Sequence, residues 1–273
     1  MLKGYKIQTV IGIDAIHTFF RQKFCKGYVF NGESHNFWEM VFVLDGSVGI
    51  TADSDVYVLE KGQGVIHRPN EFHKIWSEFD TDPTVIIVSF SANAFPDFDG
   101  RIVSLDTSQI KKIEHLYTYS DICFERDGSS IINIKPDTAY EMNLLRLELE
   151  LLILSVLKKK TDTVSSGLKS AEIYSAAVKI MEENIGSGLG IDEIAKRCSI
   201  SPAYLKKIFA KYSGSGVIQY YNRLRARIAC VHLDNGKSVK ETALLLGFAD
   251  QNYFSTFFKR VMGVSPTSFR NKK

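Results

Sequence analysis

The side chains of this 273-residue chain most able to do chemistry lie in one run, residues 247–270, GFADQNYFSTFFKRVMGVSPTSFR. Gln251, Asn252, Ser255, Thr256 and Lys259 share one face of a helical pattern. Phe254, Phe257, Phe258 and Val261 make the opposite, apolar stripe. A planar amide can bond an adenine edge twice, a hydroxyl bonds either way, and a lysine pairs with phosphate. That is the chemistry of reading duplex DNA. A plain helical hairpin with a solvated polar face would use the same residues, so the pattern gains weight only if it recurs.

The elements that must hold this face are legible around it. Gly247 is a turn glycine, and Asp250 is placed to cap a helix by accepting from its first free N–H groups. Gly263 supplies a stop, and Pro266 keeps the helix from resuming. Upstream, 239–246 reads as a short helix, completing helix, glycine turn, capped helix. A second copy follows the same plan. Its short helix is 191–198, with Ile194, Ala195 and Cys198 inward, and Ser201-Pro202 opens the next. There Leu205, Ile208 and Phe209 form the stripe, while Ala203, Lys206, Lys207, Ala210 and Lys211 face out. Between the copies, 216–234 reads as one helix carrying Arg223, Arg225 and Arg227. Its span of about 28 Å is close to the ~34 Å of one DNA turn. Two reading helices at that separation suit successive major grooves on one face of the duplex.

These residues resemble the AraC/XylS transcriptional regulators over the last hundred or so positions. The closing motif of that family is matched by Gly247-Phe248, Tyr253-Phe254, Phe258-Lys259, Gly263, Pro266 and Phe269-Arg270. The first copy matches at Ala195, Ser201, Tyr204-Leu205, Phe209, Gly214, Tyr220, Arg225 and Ala229. Two positions depart from the pattern. Thr242 stands where the family carries isoleucine, putting a hydroxyl into a packed helix. Lys206 and Lys207 stand where the family reads bases with glutamine or arginine, and lysine lacks the planar fork.

Ahead of these helices, short strands are expected at 24–30, 37–44, 47–51, 56–59, 64–67, 73–77 and 85–90, separated by turn residues. For residues 1–20 the reading is an arm or an irregular strand, with a short helix at about 14–23. The order of features resembles the sensor cupin that precedes the DNA-binding half in this family. His35, Glu39, Gly46, Gly62, Pro69 and His73 carry the match. The resemblance implies an effector site at the barrel mouth, formed by His35, Glu39 and His73 with Trp38, Trp76 and Phe90 as apolar walls. In metal-binding cupins the same positions hold an ion, and Glu33 here replaces the first histidine. The expectation is no metal and no cofactor; the lesser reading puts a divalent ion on His35, Glu39 and His73.

Helices are expected at 106–124 and 136–159. The second has more leucine at 144–154 than one face can hold, so one side covers the barrel and the other needs a partner. Family resemblance points that side to a homodimer; the alternative is a helix buried on both sides within its own domain. The expected fold is thus α+β in two domains: a cupin-like β-barrel with flanking helices at 1–160, a linker at 161–170, and an all-α double helix-turn-helix at 171–273.

Net charge is +3, but from Ala171 onward there are 16 Lys and Arg against 8 Asp and Glu, net +8. The remainder has 18 against 23, net −5, the asymmetry expected of a DNA reader joined to another module. Cys25, Cys123, Cys198 and Cys230 occur singly, as free thiols rather than a redox or metal set. Charged residues interrupt every early apolar run, so neither a signal peptide nor a membrane span is read, and a cytoplasmic protein is expected. No nucleophile-plus-base arrangement argues for an enzyme. The reading is a DNA-binding transcriptional regulator responding to a small-molecule effector. Resemblance leans toward an activator, a sugar effector and a contact with RNA polymerase. The alternatives are a metal-dependent cupin enzyme tethered to a DNA-binding module and a constitutive architectural DNA binder.

Overall fold

The computed structural model describes residues 5–98, 101–158 and 168–271. Two compact units emerge, one built essentially from residues up to Ser166 and the other from Gly167 onward. The linker expected at 161–170 lies outside the described residues as far as 167.

The N-terminal unit runs β1 (Gly12–Lys23), β2 (Trp38–Asp45), β3 (Ser47–Ala52), β4 (Asp55–Glu60), β5 (Gln63–His67), β6 (His73–Ser77), β7 (Thr84–Ala94) and β8 (Ile102–Ser104). It continues with α1 (Thr107–Cys123), β9 (Phe124–Asp127), β10 (Ser130–Ile134) and α2 (Ala139–Leu157). Seven strands form one sheet in the order β8-β5-β2-β7-β1-β10-β9, and β4-β3-β6 form a smaller one. Alternation along β2 shows how the layers stack. Val41 and Val43 point to the small sheet, meeting Val48, Ile50 and Ile75. Met40, Phe42 and Leu44 point the other way, into a core shared with Ile113 and Leu116 of α1 and Leu145, Leu149 and Ile153 of α2. A sheet covered on both faces needs apolar residues at every position, which is why β2 and β7 read as nearly unbroken hydrophobic runs.

Two expectations are corrected in this unit. Residues 14–23 form strand, not helix: β1 pairs with β7 from Gly12 opposite Ala94 to Lys23 opposite Thr84. Three register shifts near its start break the period-2 signal, and pairing to a central strand decides the conformation. Residues 24–30 form no strand, contributing only an isolated bridge from Val29 to Trp76. The helices at 107–123 and 139–157 fall where expected, the first opened by a capping box of Asp106 and Gln109.

The described residues of the C-terminal unit form helices only: α3 (Lys169–Glu183), α4 (Ile191–Arg197), α5 (Pro202–Ser213), α6 (Val217–Asp234), α7 (Val239–Leu245), α8 (Gln251–Met262) and α9 (Pro266–Arg270). The sequence reading did not single out α3, whose Tyr174 joins Phe209, Tyr212 and Tyr220 in one aromatic cluster. Ser201 accepts from the Tyr204 N–H and Asp250 from the Tyr253 N–H, so α5 and α8 begin with the same device. Each ends on a left-handed glycine, Gly214 and Gly263. Pro266 does more than end α8: capped by Ser265, it takes the first position of α9. Gly247 turns the chain between α7 and α8 at φ +72°, where an added Cβ would lie 1.7 Å from the Gly186 carbonyl oxygen. No other residue fits that backbone contact.

Thr242 of α7 is fully buried and its hydroxyl has no hydrogen-bond partner. A buried donor left unpaired costs about 1–3 kcal/mol, whereas a methyl of the same shape costs nothing there. Thr242→Val is therefore expected to stabilise the protein by about 1 kcal/mol. Urea denaturation measures this; an unchanged or lower midpoint would mean that the hydroxyl is satisfied in solution.

Candidate functional site

In the N-terminal unit, four side chains converge at one end of the space between the two sheets. Glu39 lies on the inward face of β2, opposite His67 on β5 and Ser89 on β7. His73 opens β6 beside the bridge to Glu33, and His35 sits in the segment leading to β2. The nearest donor atoms of Glu33, His35, Glu39 and His73 all lie within 4.8 Å of one another. His73 Nε2 is 3.3 Å from Glu39 Oε1 and 3.8 Å from Glu33 Oε1, and His35 Nε2 is 3.6 Å from Glu39 Oε2. Neither Nε2 makes a hydrogen bond, although both are buried.

A surrounding layer fixes these rings. His35 Nδ1 lies 3.1 Å from the Phe37 carbonyl, and His73 Nδ1 lies 3.2 Å from the Glu71 carbonyl. Phe37 stacks on His35 with centroids 3.8 Å apart, and His67 stacks on His73 at 4.5 Å. Glu71 is buried between His67 Nδ1, at 2.9 Å, and the Arg101 guanidinium. Burial, helped by the neighbouring His73 and Arg101 charges, holds the His67 imidazole well below its ordinary pKa. The facing His73 ring holds the Glu33 carboxyl below its usual range, against the opposing effect of burial.

Of the expected effector residues, His35, Glu39 and His73 are brought together and the three aromatics are not. Alternation puts Trp38 and Phe90 on the helix-facing side of the large sheet, where Trp38 stacks on Phe95 at 4.2 Å. Trp76 pairs with Gly49 on the other face of the small sheet from His73 and Ile75, and its ring occupies the space a Gly49 side chain would take. The aromatic walls are thus corrected: they do not line the His–Glu cluster. Glu33 completes that cluster, and its bridge partner His73 is a non-local neighbour that spacing does not reveal.

In the C-terminal unit, Ala203, Lys206, Lys207 and Lys211 are exposed on α5. Gln251, Asn252, Thr256 and Lys259 are exposed on α8, with Ser255 part-buried beside them. Ser255 and Thr256 spend their hydroxyl protons on the Gln251 and Asn252 carbonyls, leaving oxygen acceptors outward. Counting from the two caps, Arg260 is the counterpart of Lys211 and is also exposed. The sequence reading passed over it; aligning the copies from Ser201 and Asp250 would have found it.

Residues 19–127 match the AraC-like ligand binding domain family, and residues 194–272 match a helix-turn-helix domain family. The chain belongs to the AraC family of transcriptional regulators. It is 25% identical to the Msm operon regulatory protein of Streptococcus mutans, over 92% of this chain and 90% of that protein. It is 29% identical to the raffinose operon transcriptional regulatory protein RafR of Pediococcus pentosaceus, over 40% of each. Among solved structures, ToxT from Vibrio cholerae is 16% identical with a TM-score of 0.37, covering 93% of this chain and 96% of that one.

In this AraC-family regulator the connecting helix α6 does more than separate two copies. Arg225 lays its guanidinium over the Phe248 ring, 4.1 Å from the centroid, and donates to the Leu246 carbonyl at 2.6 Å. It thereby holds the turn between α7 and α8, the turn that sets the direction of α8. Arg223 instead donates to Ser215 Oγ, at 2.6 Å, close to the end of α5. Neither is left for phosphate as its first partner. Arg225→Met keeps the stem and loses the charge-assisted bond and the ring contact, so a loss of about 1–3 kcal/mol is expected. Chemical denaturation reads it out, and a variant as stable as the parent would show that Phe248 alone holds the turn.

Proposed function

We propose that this AraC-family regulator grips DNA through α5 and α8 and activates transcription when a small-molecule effector, a sugar, occupies its N-terminal unit. The observation that carries the DNA reading is the repeated device: two helices with the same cap, the same glycine stop and the same outward positions. The two faces divide the work. Lys206, Lys207 and Lys211 of α5 supply charge to phosphate, while Gln251 and Asn252 of α8 supply the planar amides that discriminate bases. The raffinose regulator among its relatives supports a sugar effector. The effector acts only so far as it binds one arrangement of the protein more tightly than another. No described helix is long and apolar enough to cross a membrane, in keeping with a cytoplasmic site of action.

A second copy of the chain completes the proposal. On α2, Leu145, Leu149, Leu152, Ile153 and Val156 are buried, whereas Leu147 and Leu151 remain 50% and 65% exposed. Two leucines one turn apart on the outward side suit a homodimer through this helix. RNA polymerase is the further partner of an activator at its promoter.

Binding to operator DNA should weaken steeply with salt, by about a thousandfold between roughly 50 and 200 mM if six or more phosphates are neutralised. Fluorescence anisotropy at a series of salt concentrations measures the slope, and a flat response would remove the DNA reading. Gln251→Ala and Asn252→Ala should each lower discrimination between operator variants by about 1–3 kcal/mol. Lys259→Ala should instead weaken all sequences alike and reduce the salt slope by about one. If the amide variants keep the parent's ranking of sequences, α8 does not read bases.

A further inference from the structure

We infer that the N-terminal unit holds a divalent first-row transition-metal ion between Glu33, His35, Glu39 and His73. The inference rests on donor geometry in this unit and not on the sugar or activator reading. Ligands bound at about 2.0–2.2 Å in a tetrahedron lie about 3.4 Å apart. The separations here, 3.3, 3.6 and 3.8 Å, bracket that value. They are too long for imidazolium–carboxylate hydrogen bonds, which close to about 2.7–2.9 Å. All four donors lie within 4.8 Å of one another, which leaves room for an ion but not for an organic molecule enclosed among them.

The tautomers point the same way. Each Nδ1 faces a backbone carbonyl, which only an N–H can satisfy, so in the neutral ring each Nε2 is the nitrogen that carries the lone pair. Both lone pairs are buried, unpartnered and turned toward carboxylates, which also present only lone pairs. Electron pairs facing one another in a buried site cost free energy unless a cation lies between them. A backbone carbonyl behind each imidazole is the support that metal-ligating histidines receive. The Glu71 carbonyl behind His73 is itself positioned by the bonds of Glu71 to His67 and Arg101. Two imidazoles with two carboxylates form a donor set of intermediate hardness, suited to Zn²⁺, Fe²⁺, Co²⁺, Ni²⁺ or Mn²⁺ rather than to all-oxygen Mg²⁺ or Ca²⁺.

The test uses the full chain without a polyhistidine tag, stripped by chelator and dialysed. Zn²⁺ or Co²⁺ is then added, metal content is measured after desalting, and the melting temperature is recorded. About one ion per chain, a raised melting temperature and a Co²⁺ visible band are expected. His73→Gln and Glu39→Gln should each lower affinity at least about tenfold, the minimum seen when even supporting residues are lost. Glu33→Gln, at a side chain 53% exposed, should melt like the stripped parent while binding metal more weakly, separating loss of a ligand from loss of the fold. His115→Ala, at an exposed position on α1, should bind as the parent does. Failure to take up either ion, or uptake that all three site variants leave unchanged, would overturn the inference. DNA binding by the stripped protein is a separate readout, so either reading can fail without the other.

Discussion

What α8 must hide fixes what it can show. Phe254, Phe257 and Phe258 are buried along one side, each stabilising the unit by about 1.5–3 kcal/mol relative to exposure. Rotating the helix to bury any other face would expose those rings at several times the cost of losing one polar contact. The orientation of Gln251, Asn252, Thr256 and Lys259 is therefore a consequence of packing, set before any ligand arrives. The same holds for α5, where Leu205, Ile208 and Phe209 are buried and the lysines stay out. On the proposed DNA reading, recognition is built on hydrophobic burial at second hand.

The N-terminal unit solves a related problem differently. Its large sheet is covered by helices on one face and by the small sheet on the other, so most positions on its central strands must be apolar. Glu39, His67 and Ser89 break that rule in adjacent strands at one level of the sheet. Buried polar groups persist only with partners. Ser89 pairs with Thr18 and His67 with Glu71, while Glu39 faces the unpartnered Nε2 atoms of His35 and His73.

Legibility followed the range of the interactions. The C-terminal helices could be read because their signals are local: a cap, a period of 3.6 and a glycine stop all act within a dozen residues. Even there Pro266 was read only as a stop, since its second use depends on Ser265 capping a short new helix. The strand at 12–23 is only half legible, as an irregular strand giving way to a helix, because its pattern is broken by register shifts and its conformation is imposed by β7, some seventy residues away in sequence. Resemblance to a barrel-mouth site groups Trp38, Trp76 and Phe90, but which face of a strand a side chain takes depends on register. Thr242 shows the reverse case: a departure noticed in the sequence became a buried, unpartnered hydroxyl in the fold.

The contact of Gly247 with Gly186 carries a consequence for promoter architecture. The loop after α3 meets the turn between α7 and α8 at Gly186, Ile185 of that loop packs on the cluster that holds Leu246 and Phe248, and Tyr221 of α6 ties the loop by donating to the Asn184 carbonyl at 2.7 Å. With α6 between them and these contacts behind the turn, α5 and α8, if they are the DNA grips proposed above, are not joined like beads on a string. One base pair inserted between two such half-sites moves the second by about 3.4 Å and turns it by roughly 35°. A stiff clamp leaves that mismatch to the double helix, which must under- or overtwist to meet it. Spacer length, as much as base identity, would then be written into which promoters this regulator can occupy.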